Sequence, residues 1–372
     1  MRVLISGGGT GGHIYPGLAL IEELASRVEN LEVHYLGSCD GMEKDIVPKR
    51  GVPFSCLPAQ GFERKLSFDT VKTLFVAIQG FFISWQRVRA YKPDLVIGTG
   101  GYVAGPVLMA AALLGKPTLI HEQNALPSLT NRILTPFVDA VALSFSEAST
   151  YLSRSKKTVT TGNPIREEFF SLSKEQGIER LGLNPKKKTL LFVGGSRGAE
   201  PINNAALAIL PRLIQLDDLQ VILVAGQVNY DQVLAEIKSN SLALPADFKI
   251  LPYLDDMPAA LNAADLIVAR AGGMIAEINA CGLPAIYIPS PYVADNHQEH
   301  NAKAIEALGA AITIREADLN GDLLYARIAD LLADQEKREF MSKAALSLAK
   351  PNACKEIADL ALEILATKEK GV

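Results

Sequence analysis

Along the chain, short apolar runs of strand length alternate with longer stretches whose apolar positions recur at helical spacing. In the first half the runs are Val3–Ser6, Val33–Leu36, Leu95–Gly98, Pro117–His121, Ala140–Phe145 and Thr158–Thr161, with helices expected near Gly17–Val28, Phe68–Tyr91 and Tyr102–Leu114. The turn-rich Thr161-Gly162-Asn163-Pro164 interrupts the pattern. It restarts at Thr189–Val193, continues with a helix from Pro201, and then repeats runs at Val221–Ala225, Phe248–Leu251, Leu266–Ala269 and Ala285–Ile288. Apolar strands separated by helices predict parallel sheets covered on both faces. The chain is therefore expected to be α/β, with two Rossmann-like domains over residues 1–162 and 163–340 whose parallel sheets face a central cleft. From Asp334 the pattern is helical with a break at Lys350-Pro351-Asn352, and residues 341–372 are expected to cross back onto the first domain.

Four glycine-rich turns punctuate this plan, each after an apolar run and before a helical stretch: Gly7–Gly12, Gly98–Gly101, Gly194–Gly198 and Gly272–Gly273. A strand, a glycine turn and a helix gather backbone N–H groups and the positive end of a helix dipole at one point, where phosphate binds well. Ligands of doubly wound sheets lie at the carboxyl ends of the strands, where all four turns fall. The first turn formally satisfies GxGxxG, which raises an NAD-dependent dehydrogenase as a rival. That fold expects an acidic residue ending the second strand, but Leu36 is followed by Gly37-Ser38-Cys39, with Asp40 several positions late. The third turn lacks the GK[ST] of a nucleotide hydrolase, although Ser196 and its N–H groups suit a diphosphate.

Other polar groups sit where these turns lead. His13 stands where the first loop becomes a helix, a position that favours a neutral imidazole able to accept a proton; capping or packing of the turn is the plain alternative. His121-Glu122-Gln123-Asn124 brings four polar side chains to a strand end, as sugar hydroxyls require, with two or more of them expected to satisfy nearby backbone instead. Tyr102 follows Gly100-Gly101 and could flank a sugar ring or pack the loop. Glu277, one turn inside the helix after Arg270-Ala271-Gly272-Gly273, could take both ribose hydroxyls or serve only the helix dipole. Asp295-Asn296-His297-Gln298-Glu299-His300-Asn301 is a further polar cluster before a helix.

With 372 residues, 48% of them hydrophobic and 21% charged, the chain suits two ordinary globular cores. A net charge of -4 gives no reason to expect nucleic acid. Cys39, Cys56, Cys281 and Cys354 lack metal-ligand or CxxC spacing and are expected to be reduced thiols of a cytosolic protein, with no zinc site. The start of the chain has no leader pattern, and no stretch reads as a membrane span. In Phe68–Tyr91 the stripe Val71, Leu74, Phe75, Ile78, Phe82 and Trp85 is expected to be core. Val76 and Ile83 share an edge with Lys72, Gln79 and Arg87, a surface suited either to anionic lipid or to a neighbouring loop.

The motifs Gly9-Thr10-Gly11-Gly12-His13-Ile14-Tyr15-Pro16-Gly17, Gly98-Thr99-Gly100-Gly101-Tyr102-Val103, His121-Glu122-Gln123-Asn124, Thr161-Gly162-Asn163-Pro164-Ile165-Arg166, Gly194-Gly195-Ser196-Arg197-Gly198-Ala199 and Asp295-Asn296-His297-Gln298 together resemble the MurG family, in order and over nearly the whole chain. That resemblance implies a GT-B fold and an inverting, metal-independent and cofactor-free transfer of N-acetylglucosamine from its UDP form to lipid I, giving lipid II for peptidoglycan. It implies UDP-N-acetylglucosamine, lipid I and an anionic membrane surface as partners, with cell-wall synthesis proteins beside them, and a peripheral place on the cytoplasmic face of the bacterial membrane. By the same resemblance Arg166, Ser196, Gly272 and Gly273 lie near the diphosphate, Glu277 at the ribose, Tyr253 and Leu254 at the uracil edge, and His297 and Gln298 at the sugar. Thr10, Gly11, Gly12 and Asn124 are further donor-binding candidates. His13, Gly100, Gly101, Tyr102, Glu122 and Asn124 face the acceptor, with His13 the base and Glu122 its competitor or orienting partner. One departure stands out: Gly273-Met274-Ile275-Ala276 is one residue short of the family's spacing and lacks its threonine, which leaves phosphate contact there to backbone N–H groups. The rivals are a UDP-sugar transferase acting on diacylglycerol, a dehydrogenase, and a non-catalytic sugar-nucleotide sensor.

Overall fold

A computed structural model describes residues 1–59 and 68–370. The chain divides into two compact units, Met1–Ile165 with Asn352–Val372, and Arg166–Pro351.

Unit 1 carries strands β1 (Arg2–Gly7), β2 (Glu32–Ser38), β3 (Phe54–Leu57), β4 (Leu95–Gly100), β5 (Thr118–Glu122), β6 (Ala140–Leu143) and β7 (Thr158–Thr160), and helices α1 (Gly11–Arg27), α2 (Glu43–Lys49), α3 (Phe68–Tyr91), α4 (Ala104–Leu113) and α5 (Leu129–Leu134). Its seven-stranded sheet runs β3-β2-β1-β4-β5-β6-β7, and every described pairing is parallel. Strands β1, β4 and β5 bury both faces, which explains why they read as unbroken apolar runs rather than alternating ones.

Unit 2 adds α6 (Glu168–Ser171), α7 (Lys174–Leu181), β8 (Lys188–Val193), α8 (Glu200–Leu213), β9 (Leu219–Val224), α9 (Tyr230–Ser239), β10 (Phe248–Leu251), α10 (Met257–Ala263), β11 (Leu266–Ala269), α11 (Ile275–Ala280), β12 (Ala285–Tyr287), α12 (His297–Ala307), β13 (Ala311–Thr313), α13 (Gly321–Ala333) and α14 (Gln335–Leu348). Its six strands lie in the order β10-β9-β8-β11-β12-β13. Local signals set several boundaries: Ser173 and Gln176 form a reciprocal capping box on α7, and Gly182 closes that helix at φ 58°.

The tail divides. Met341 and Ala345 of α14 are buried in unit 2, and Leu346 lies against Gly282, so that helix stays with the second sheet. After Pro351, α15 (Ala353–Lys370) returns to unit 1, where Ile357, Leu360, Ala361 and Ile364 join the core that also holds Leu18, Leu20 and Leu24 of α1.

Three expectations change. Helix α1 begins at Gly11 rather than near Gly17, with Pro16 inside it, because the glycine run enters the helix instead of merely preceding it. Ile78 and Phe82 of α3 are 48% and 61% exposed rather than core. The face turned inward carries Gly80, Ser84 and Val88: a Cβ on Gly80 would lie 2.9 Å from the Pro58 carbonyl oxygen, so close approach selects small residues and rotates larger ones outward. The side chains of Val71, Lys72, Leu74 and Phe75 lie outside the described residues. Finally, Cys39 and Cys56 are joined in a disulfide rather than held as thiols. The pairing of Gly37 with Cys56 across β2 and β3 makes them neighbours, which their spacing in the chain did not reveal. Cys281 and Cys354 are free, and burial pushes each thiol up to about 12.

Candidate functional site

In each sheet the strand order reverses direction at one place, between β1 and β4 and between β8 and β11. Connections diverge from such a point and leave a crevice at the strands' carboxyl ends. The four glycine turns are the loops that leave these four strands.

In unit 1 the loops after β1 and β4 interlock. Gly8 N–H donates to the Gly100 carbonyl at 3.2 Å, and a Cβ on Gly101 would overlap the Gly8 carbonyl. Gly100 and Gly101 have φ of 106° and 81°, values that disfavour other residues. Thr10 caps α1 without a side-chain hydrogen bond, and Gly11 and Gly12 form its first turn with His13. His13 Nδ1 lies 3.2 Å from the Thr99 carbonyl while Thr99 Oγ1 donates to the His13 carbonyl at 2.7 Å, which fixes the ring between the two loops. A carbonyl only accepts, so a neutral His13 carries its proton on Nδ1 and a lone pair on Nε2. Tyr102 is 41% exposed, with its ring against Gly9.

The segment after β5 separates inward from outward groups. His121 is fully buried, with Nε2 near the Gly162 carbonyl and Ser144 Oγ; burial pushes it down to about 4, which keeps it neutral. Gln123 Nε2 donates to the Thr99 carbonyl at 2.8 Å. Glu122 is 1% exposed and accepts four hydrogen bonds at 2.8–3.0 Å, from the Asn124 and Ser128 backbone and from the Asn124 and Asn131 amides. Its carboxylate thereby orders this loop. A small cavity brings His13, Gly100, Glu122 and Asn124 together. Ser128, Asn131 and Thr99 hold these groups and were not singled out in the sequence; the Ser128 cap of α5 is a local signal, whereas the reach of Asn131 to Glu122 is not.

In unit 2, Ser196 lies in the loop that joins β8 to the start of α8. Gly195 and Gly198 have φ of 92° and 78°, and Gly198 packs on the Ala225 carbonyl so closely that a Cβ would overlap it. After β11, the Arg270 guanidinium pairs with Glu316 at 2.5 Å and donates to the Ile288 carbonyl at 2.8 Å, while Asn301 donates to the Ala271 carbonyl at 3.2 Å. These contacts brace Gly272 and Gly273, and α11 starts at Ile275 despite the short loop, with Glu277 in its first turn. Surrounding protein pushes the Glu277 carboxyl up to about 7, with the Arg166 charge opposing the shift. Arg166 also lies 3.6 Å from Glu168 and over the Phe169 ring. Gln298 Oε1 accepts from Ser290 N–H at 2.9 Å, and its amide nitrogen would be 3.8 Å from a Cβ on Gly272. His297 is held through Nδ1 by the Ala294 carbonyl at 2.8 Å. Both follow Asp295 and Asn296, two successive residues in the left-handed region. Glu299 ties that turn down by accepting from Asn296 at 2.5 Å, and the Lys303 ammonium holds its carboxyl down at about 2. Tyr253 and Leu254 follow the edge strand β10 after Pro252.

Sequence and structure comparisons agree with this geometry. Residues 3–143 match the glycosyltransferase family 28 N-terminal domain and residues 189–360 the glycosyltransferase family 28 C-terminal domain. The chain is 46% identical to the UDP-N-acetylglucosamine--N-acetylmuramyl-(pentapeptide) pyrophosphoryl-undecaprenol N-acetylglucosamine transferase of Caldanaerobacter subterraneus, covering 97% of this chain and 99% of that protein. The transferase of the same name from Bacillus licheniformis is also 46% identical, over 98% of this chain and 99% of its own length. The crystal structure of Acinetobacter baumannii MurG superposes with a TM-score of 0.74 at 30% identity, covering 97% of this chain and 99% of that one. With two parallel-sheet units of the GT-B kind and this near full-length identity, the chain belongs to glycosyltransferase family 28 and, within it, to the MurG transferases.

Proposed function

We propose that this chain transfers N-acetylglucosamine from UDP-N-acetylglucosamine to the C4 hydroxyl of the muramyl unit of lipid I, giving lipid II and UDP. The observation that carries this reading is the 46% identity, over 97% of the chain, to a transferase whose name states that donor and that lipid-linked acceptor.

The chemistry is an inverting displacement. The muramyl O4 attacks the anomeric carbon opposite UDP, the O4 proton passes to a base, and the bond to the diphosphate oxygen breaks with its electron pair leaving on UDP. His13 is the proposed base, because its Nε2 lone pair is set by the Thr99 carbonyl and it lines a cavity with Asn124. Glu122 orients Asn124 rather than taking the proton. Departing negative charge falls to Arg166, Ser196 and the N–H groups of the loops after β8 and β11, an electrostatic role that asks for no metal. Glu277 takes the ribose hydroxyls, Tyr253 and Leu254 flank the uracil, and Gln298 with His297 reads the sugar. Gly100, Gly101 and Tyr102 belong to the acceptor side, with Thr10, Gly11 and Gly12 as further donor-binding residues.

Among the described residues no helix is long and apolar enough to cross a membrane. The lipid-linked acceptor instead calls for a surface that rests on the bilayer. Ile78 and Phe82 of α3, Leu113 of α4, and Leu129 and Ile133 of α5 are between 48% and 61% exposed on successive neighbouring helices, and this is the proposed contact with an anionic cytoplasmic leaflet.

The test is transfer from labelled UDP-N-acetylglucosamine to a short-chain lipid I analogue, with UDP-glucose as competitor and a chelator in a parallel sample. Equimolar UDP and disaccharide-lipid, unaffected by the chelator, is the expected result. No transfer to lipid I, or preference for diacylglycerol, overturns it.

A further inference from the structure

A buried carboxylate beneath the first glycine loop has no part in the transfer chemistry above. Glu43 opens α2 and is fully buried. One oxygen accepts from Ser38 N–H at 2.7 Å and the other from Gly9 N–H at 3.0 Å, so the side chain bridges the end of β2 to the loop after β1. Glycines enclose it: a Cβ on Gly8, Gly37 or Gly41 would overlap the Glu43 side chain. Burying such a group is costly unless donors meet it, and two N–H bonds to a carboxylate are of the stronger kind.

The loop it grips is the one that sets the acceptor side. Gly9 holds φ at 85° with the Tyr102 ring against it, Gly8 is hydrogen-bonded to Gly100, and His13 follows in the first turn of α1. We propose that Glu43 is a positioning residue for transfer: by fixing Gly9 it fixes where Tyr102 and His13 stand relative to the acceptor hydroxyl. It touches no reacting atom. It also occupies the Gly9 N–H with the protein's own anion, so that N–H is not a donor to the pyrophosphate of the lipid. The inference rests on the transferase reading above.

Steady-state transfer by Glu43→Gln tests it, with acceptor and donor varied separately. The amide keeps the shape but presents NH2 to one backbone N–H. Loss of a hydrogen bond to a charged group predicts a fall in acceptor kcat/KM of about 10- to 100-fold. The donor KM should stay within about twofold, and Glu43→Asp should recover part of the loss. A role in stability alone would instead shrink only the active fraction, leaving kcat per folded molecule and both KM values unchanged while reducing Tm. That pattern, or acceptor kcat/KM within about twofold of the parent, overturns the proposal. If Glu43→Gln does not fold, Gly8→Ala crowds the carboxylate from the loop side and must give the same acceptor-selective loss. Absence of transfer by the unmodified chain would defeat the transferase reading and this inference together, whereas a normal parent with a normal variant defeats this inference alone.

Discussion

The two units place glycine loops at the same topological point, yet brace them by opposite means. After β1, a buried carboxylate from α2 takes a loop N–H, and a second glycine loop locks against the first. After β8, the loop is held by backbone: Gly198 N–H donates to the Gly195 carbonyl at 2.9 Å, and Gly198 rests on Ala225. An internal anion under a loop makes it a poor host for phosphate, whereas a backbone-braced loop at the start of the 14-residue α8 keeps the helix's positive end for a ligand. Glycine content alone therefore does not identify an anion site; what the N–H groups already face decides it.

The sharpest way to break this contrast is at the chemistry of unit 1. His13→Ala should lower kcat by about 100- to 10,000-fold while UDP-sugar binding, measured by calorimetry, is retained. Parallel loss of donor binding would place His13 on the wrong side of the comparison. Next in size is Glu277. If it holds the ribose through two hydrogen bonds, Glu277→Ala should weaken UDP binding by about 10- to 100-fold.

Its protonation adds a pH signature. The carboxyl is pushed up from 4.5 to about 7, so the native state binds this proton more tightly than the unfolded chain. The stability it contributes is complete below pH 4.5 and is lost as pH rises to about 7. Donor affinity runs the other way, strengthening through about 7 as the carboxylate gains acceptors for two hydroxyls. Glu277→Gln should flatten both profiles, read by thermal unfolding and by binding titrations from pH 5 to 8.

Smaller effects concern the scaffold. Gly198→Ala should cost on the order of 1–3 kcal/mol in unfolding and weaken UDP binding, because φ is 78° and the Ala225 carbonyl blocks the methyl. Gly51→Ala, at φ 73° with nothing within 4 Å, isolates the backbone penalty from the clash. Smallest is Phe82→Ser: at 61% exposure it should change unfolding free energy by less than about 0.5 kcal/mol, yet reduce sedimentation with anionic vesicles. A large loss of stability would return Phe82 to the core.

The central strands were legible because burial on both faces leaves continuous apolar runs, as in β1, β4, β8 and β11. Strands β3 and β13 escaped notice; both lie at sheet edges, and they are only four and three residues long, with partly exposed positions. On α3, spacing picked out the bulky residues, but the inward face is the one where Gly80 meets the Pro58 carbonyl. In the site, His13, Tyr102, Glu277 and Gln298 announced themselves beside glycine turns or in a polar cluster. Glu43 did not, since a lone acid at the head of a short helix reads as an ordinary dipole partner.

Residue order alone settled the α/β alternation, the positions of the four glycine turns and the transferase motifs, because these are local patterns of period, turn chemistry and spacing. Tertiary structure decided that Glu122 and Glu43 order loops, that Cys39 and Cys56 are bonded, and which side of α3 meets the sheet. Each of those outcomes depends on which groups are brought within hydrogen-bonding or van der Waals distance by strands and helices far apart in the chain, and a buried polar group takes its role from the partners it finds there.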